Sequence, residues 1–293
     1  MDRSMVEALL RDQYEISPDV VGAILDACLP AARMRLVPAT GADLPIRSSR
    51  FGGEPDLPRH APWPRRASGR FLTFVAQINL AECASYLEPF WPREGLLSIF
   101  YDAGDAPMGE MLEDHDSFRL LYYEPNVELM HTPRPKPIRD LSPSPRPKLD
   151  TYAIKFEGLL TCPAAHTLRT LTNISQVEEK KYGEFYTDQI EYGVMASECH
   201  LLGGHAFENW HGGAQHAACG RAGISPDHLP DTHPARREFD SLAAPWRLFA
   251  QFDSDENLQH DWNFGDDRLY IWIHGDSLRR WTFDRCWATV DVG

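Results

Sequence analysis

One phrase in this 293-residue chain occurs twice, in the same company each time. Ala76-Gln77-Ile78-Asn79 closes an apolar, aromatic-containing run, and Ala250-Gln251-Phe252-Asp253 closes another 174 residues later. Beyond each phrase comes a second run, Gly95-Leu96-Leu97-Ser98-Ile99-Phe100-Tyr101 in one case and Arg268-Leu269-Tyr270-Ile271-Trp272-Ile273 in the other. Ahead of each stands a glycine pair after an apolar residue, Phe51-Gly52-Gly53 and Leu202-Gly203-Gly204. Three landmarks in one order predict a duplicated, strand-rich unit. The glycine pairs would admit positive φ or a close backbone approach, and each Gln-x-Asn/Asp would end a buried strand with polar groups. Halves of this kind commonly pack as one body with a cleft between them. Gln77, Asn79, Gln251, Asp253, Trp262 and Asp266 are the candidate ligand-lining residues of that cleft.

The rest of the chain divides by texture. Residues 3–12 and 17–29 read as helices, with Ser17 as cap, Pro18 in the first turn and Pro30 as the stop. After residue 40 come short apolar runs separated by Gly, Pro and Asp, which is the pattern of strands and turns. Residues 71–78, 96–101 and 269–273 are too continuously apolar for one face to meet water. The expected fold class is α+β: a strand-rich body of two pseudo-duplicated halves around mixed or antiparallel sheets, with N-terminal helices packed on it. The expected organisation is a helical segment over 1–40 and a single domain over 41–293, with halves near 41–160 and 200–293. Between His131 and Lys148, Pro at 133, 135, 137, 143, 145 and 147 forbids helix and predicts an extended crossing segment.

Charge narrows the partners. Lys and Arg total 29 against 43 Asp and Glu, a net charge of −14, which repels phosphate backbones and anionic lipid. Neither nucleic acid nor a membrane surface is therefore an expected partner, whereas a basic protein is. Arg134, Lys136, Arg139, Arg146 and Lys148 form the one basic cluster, read as a solvated loop ahead of an anion site. With 43% hydrophobic residues the chain can bury a full core, so wholesale disorder is excluded. The amino end carries no basic, apolar and small-residue leader pattern, and no run is long enough to span a bilayer. Six cysteines without a Cys-x-x-Cys pair read as reduced thiols. The expected location is the cytoplasm.

The strings Phe51-Gly52-Gly53-Glu54-Pro55-Asp56-Leu57-Pro58, Pro62-Trp63-Pro64, Leu72–Leu80 and Gly95–Asp102 resemble the YwqG-like family of bacterial proteins. So do His200-Leu201-Leu202-Gly203-Gly204, Trp246–Asp255 and Trp262–Tyr270. The resemblance implies a soluble bacterial protein with an α+β, internally duplicated body, and no settled activity. Two departures stand out. His205-Ala206 replaces the Tyr-Pro usual after the second glycine pair, and Trp262-Asn263-Phe264-Gly265-Asp266 lengthens the usual Trp-Gly-Asp.

Histidine is crowded into one stretch. His200, His205, His211, His216, His228 and His233 lie near Cys199 and Cys219, and imidazole with thiolate is the donor set of zinc-like ions. His200, His205, His211 and His216 are thus candidate ligands for a divalent metal. Their five-residue spacing and the intervening glycines favour ordinary polar loop histidines, and no cofactor is expected. Asp253-Ser254-Asp255-Glu256-Asn257 opens like a calcium loop, but Leu258 and Phe264 stand where the EF-hand needs Gly and Glu. No nucleophile elbow or phosphate-binding glycine loop occurs. Asp56, Asp253, Asp266 and Asp267 are available for acid–base chemistry, as carboxylates are in any globular protein. Trp63, held between two prolines, either caps a core or lines a groove.

Two functional readings follow. The first is a non-catalytic interaction protein whose negative surface binds a basic protein partner, as in neutralising a basic toxin. The second is a small-ligand or metal-binding protein, or an enzyme, using the cleft between the repeats. The sequence leaves the oligomeric state open.

Overall fold

The computed structural model describes residues 1–41, 44–136, 149–164, 168, 174–194, 199–207, 213–222, 241–253 and 268–291. Helix α1 (Arg3–Ala8) starts at Asp2, whose side chain accepts the Met5 N–H, and runs into a wider π turn over Leu9–Gln13. Helix α2 (Pro18–Ala27) buries Val20, Val21, Ile24 and Leu25 on one face, as their spacing predicts. Ser17 stands at its N-cap, but the hydroxyl bonds the Glu178 carboxylate instead of a backbone N–H of α2.

The helical segment is shorter than its expected span of 1–40. Extended backbone begins at Cys28, and Leu29–Pro38 form strand β1. The physical reason is pairing: β1 aligns ten residues antiparallel with β8 (Tyr152–Thr161) and, on its other side, pairs with β9 (His200–Gly203). Pro30 is accommodated because the Leu160 N–H opposite it bonds the Met1 carbonyl.

Among the described residues one ten-stranded sheet organises the body, and every pairing within it is antiparallel. Outward from β8 lie β2 (Arg50–Phe51), β4 (Thr73–Asn79), β5 (Leu96–Tyr101) and β6 (Phe118–Tyr123). Outward from β9 lie β10 (Trp246–Phe252), β11 (Arg268–His274) and β12 (Cys286–Asp291). Both β4–β5 and β10–β11 slip register once, between Phe74 and Ala76 and between Leu248 and Ala250. Such bulges increase local twist. The sheet accordingly curls until β12 approaches β6, giving a nearly barrel-shaped wall. The Val290 N–H bonds the Met108 carbonyl and Trp287 Nε1 bonds Gly109 O at 2.6 Å beside the seam.

Three cores result. The largest fills the inside of the curl with Met34, Ile78, Leu97, Ile99, Phe249, Ile271 and Ala288, and Trp91 stacks on Phe249 at 5.1 Å. On the outer face of the β9–β12 half, α1, α2 and helix Gln176–Phe185 pack over Leu201, Leu248, Tyr270 and Trp272. On the outer face of the β4–β5 half, Trp63, Phe71 and Leu57 cover Phe74 and Phe100 instead. A large-to-small change in any of these cores costs about 3–5 kcal/mol for an aromatic side chain.

The glycine pairs stand where positive φ is required. Gly52 and Gly53 have φ +64° and +70°, and Gly203 and Gly204 have φ +71° and +78°. A Cβ on Gly52 would lie 2.0 Å from the Asp150 carbonyl, and one on Gly204 would lie 2.7 Å from Ala31 Cβ. Both pairs let the chain leave a strand and pass close against β8 or β1.

Candidate functional site

The echoed glutamines are fully buried and do the same thing. Gln77 Oε1 accepts the Asp56 N–H at 2.8 Å, and its amide donates to Ser48 O at 2.8 Å. Gln251 Oε1 accepts the Phe207 N–H at 2.9 Å, and its amide donates to Cys199 O at 2.9 Å. Each glutamine thus ties together the two ends of the segment that holds a glycine pair. The residues two further on continue the match: the Asn79 N–H bonds Ser49 Oγ at 2.8 Å, and the Asp253 N–H bonds His200 Nδ1 at 3.1 Å. The Asn79 side chain caps the short helix after β4 by accepting the Ala81 N–H. Asp253 accepts the Cys199 N–H at 3.0 Å and Arg268 Nε at 2.7 Å, so its carboxylate serves the fold.

In the first half the staple touches a charged cluster. Asp56 opens β3 (Asp56–Pro58) and is fully buried. Its Oδ2 accepts from Arg47 N at 2.8 Å, Arg50 Nη2 at 3.0 Å and Gln77 Nε2 at 2.7 Å. Burial pushes the Arg50 guanidinium below its usual value, and the charge of Asp56 opposes that shift. Strand β3 pairs with β7 (Leu129–His131), which sets His131 directly across from Asp56. His131 Nδ1 stands 3.8 Å from the otherwise unbonded Asp56 Oδ1, while His131 Nε2 lies 2.8 Å from Glu54 Oε2. Glu54 Oε1 accepts the Arg134 N–H at 3.1 Å.

Beside this cluster lies a cavity of about 400 Å³. Glu54, His131 and Arg134 supply its charged wall, Trp63, Phe74 and Leu149 its apolar wall, and Gly53, Thr73 and Thr151 part of the remainder. Trp63 is fixed by its indole N–H to Leu72 O at 2.8 Å and by an edge contact on Phe100, so it both caps a core and lines the cavity. Burial lowers the Arg134 guanidinium from its usual value. The Glu54 carboxylate orients the His131 ring through Nε2, while Nδ1 faces the Asp56 carboxylate from beyond hydrogen-bond distance.

A profile of the family described as domain of unknown function, DUF1963, matches residues 49–292. The chain belongs to that family. No curated protein matches the chain. The DUF1963 region holds both stapling glutamines and every cavity-lining residue except Gly41, while α1, α2, β1 and Ser48 precede it.

The histidine-rich stretch of this DUF1963 protein is only partly described. His200 lies in β9 and is buried, and His205 Nε2 bonds the Ala27 carbonyl at 2.7 Å. Burial pulls the His205 imidazole down to about 4, against the opposing effect of that bond. His211, the side chain of His216, Trp262 and Asp266 lie outside the described residues, as do Ser254–Asn257 of the acidic run. Among the described residues no three His, Cys, Asp or Glu side chains converge as metal ligands would. Glu54 and His131 were absent from the sequence-derived cleft set. The trace that pointed their way was Asp56 and Trp63 within the family-like string before β4.

Proposed function

We propose that this DUF1963 protein binds a small molecule in the cavity beside β3 and β7. The carrying observation is the pairing of an apolar wall around Trp63 with Glu54 and the His131 ring that it holds. Cavities of this size, mostly apolar with a few convergent polar groups, suit small organic ligands. The ligand has an apolar portion for the indole and a hydrogen-bonding head for Glu54 and His131. The test is a thermal-shift screen of a metabolite panel with the full chain. Hits that stabilise the parent, but not Trp63→Leu or Glu54→Gln proteins of unchanged fold, support the reading. A panel without a single such hit sinks it.

In the same proposal the chain is a YwqG-like duplication whose two copies have diverged in what covers them. Matched staples, bulges and glycine pairs support that origin. The helices over the second copy take the place that the cavity has in the first. An experimental structure whose halves superpose without aligning Gln77 on Gln251 would overturn it.

The net charge of −14 favours a second reading, a basic protein partner. Binding of that kind weakens steeply with salt. A partner retained from host lysate at low ionic strength and equally at high ionic strength would argue against it.

A further inference from the structure

Two thiols meet at the junction of the N-terminal helices and the central strand pair. Cys28 is the residue between α2 and β1, and Cys162 follows the last residue of β8. The β1–β8 register pairs Leu29 with Thr161, so Cys28 and Cys162 are the next cross-strand pair. Opposed residues in antiparallel strands hold their Cα atoms about 4.5–5.5 Å apart, within the range a disulfide spans. The sulfur atoms stand 3.5 Å apart, with both residues buried and both thiols free.

We propose that Cys28 and Cys162 form an oxidant-sensitive pair that closes to an intramolecular disulfide. The oxidant is a hydroperoxide. The Cys28 thiolate attacks the terminal peroxide oxygen, the O–O bond breaks, and water or alcohol leaves with a proton, giving a sulfenic acid on Cys28. The Cys162 sulfur then attacks Cys28, the S–O bond breaks, and the hydroxyl leaves as water with the Cys162 proton. Two thiols are oxidised and one peroxide is reduced.

The division of roles follows from the surroundings. The hydrogen bond shared with Cys162 lowers the Cys28 thiol, with burial opposing it and Arg3 adding to the effect. The same bond, together with burial, raises Cys162. Thiolate character makes Cys28 the attacking sulfur. The other described cysteines give a contrast: Cys83, Cys199 and Cys286 are buried, and burial raises their thiols.

The experiment treats reduced full-length protein with hydrogen peroxide, alkylates remaining thiols, and maps peptides without reduction. The expected result is loss of the mass of two hydrogen atoms, one linked peptide pair containing Cys28 and Cys162, and full reversal by dithiothreitol. In Cys162→Ser protein the sulfenic acid has no resolving partner, so a 1,3-diketone probe should label Cys28. Circular dichroism matching the parent establishes that this variant is folded. Complete alkylation of both residues after peroxide and after diamide overturns the proposal, as does a disulfide joining any other pair.

Discussion

Replacing Gln77 by Leu removes three hydrogen bonds while keeping similar volume in a site with no solvent exposure. The Asp56 N–H and the Ser48 carbonyl lose their side-chain partner, each at about 1–3 kcal/mol, and the Asp56 carboxylate loses a donor it shares with Arg50. Leucine recovers part of that through its apolar surface, so the net loss is about 4 kcal/mol. Gln251→Leu strands only the Phe207 N–H and the Cys199 carbonyl, for about 3 kcal/mol. Urea unfolding followed by tryptophan fluorescence measures both, and the corresponding fall in Tm is about 10 °C. The double variant should lose the sum within about 0.5 kcal/mol, because the two staples share no partner. If each single variant unfolds within about 1 kcal/mol of the parent, the amides are no better than surface bonds and the reasoning fails. A larger loss at Gln251 than at Gln77 would refute the part assigned to the Asp56 charge.

Gly204→Ala, at φ +78° and with its Cβ 2.7 Å from Ala31, should destabilise by about 2 kcal/mol in denaturant titration. Gly183→Ala meets nothing within 4 Å inside a helix and should stabilise by about 0.5–1 kcal/mol. His205 has a folded value near 4, below its unfolded value of about 6.5, so the folded state holds fewer protons in that window. Its contribution is present above pH 6.5 and is lost as pH falls toward 4, by at most about 3 kcal/mol. His205→Gln should flatten the stability curve across that interval, and an unchanged slope would refute the assignment. Closing Cys28 to Cys162 spans 134 residues, so peroxide should raise stability by about 4–5 kcal/mol through loop closure, and Cys28→Ser should remove the rise.

The strands at 73–79, 96–101 and 268–274 were legible because continuous apolar runs between turn residues have few other uses. Strand β1 was not legible. Its alternation runs only over Ala32-Arg33-Met34-Arg35-Leu36 between Pro30 and Pro38, and its place follows from partners more than a hundred residues away. The echoed glutamines were visible as letters, yet what they hold was not. Their targets are mostly main-chain atoms, and a bond to a main-chain atom leaves no mark on the partner's identity. The cavity was hidden for a related reason. Asp56 and His131 come together through a three-residue ladder, too short to impose a period on either segment.

The position of β1 also bears on how the protein can be shortened. Residue 49, where the family match begins, looks like a natural place to cut, although that cut would already remove the Ser48 carbonyl that Gln77 binds. A chain trimmed there loses the strand that pairs β8 on one side and β9 on the other. The remaining sheet would part down the middle and present two bare edges, each a template for another copy. What looks like a dispensable leader is the keystone of the wall, and a tag or fusion partner at the amino terminus sits two short helices away from it.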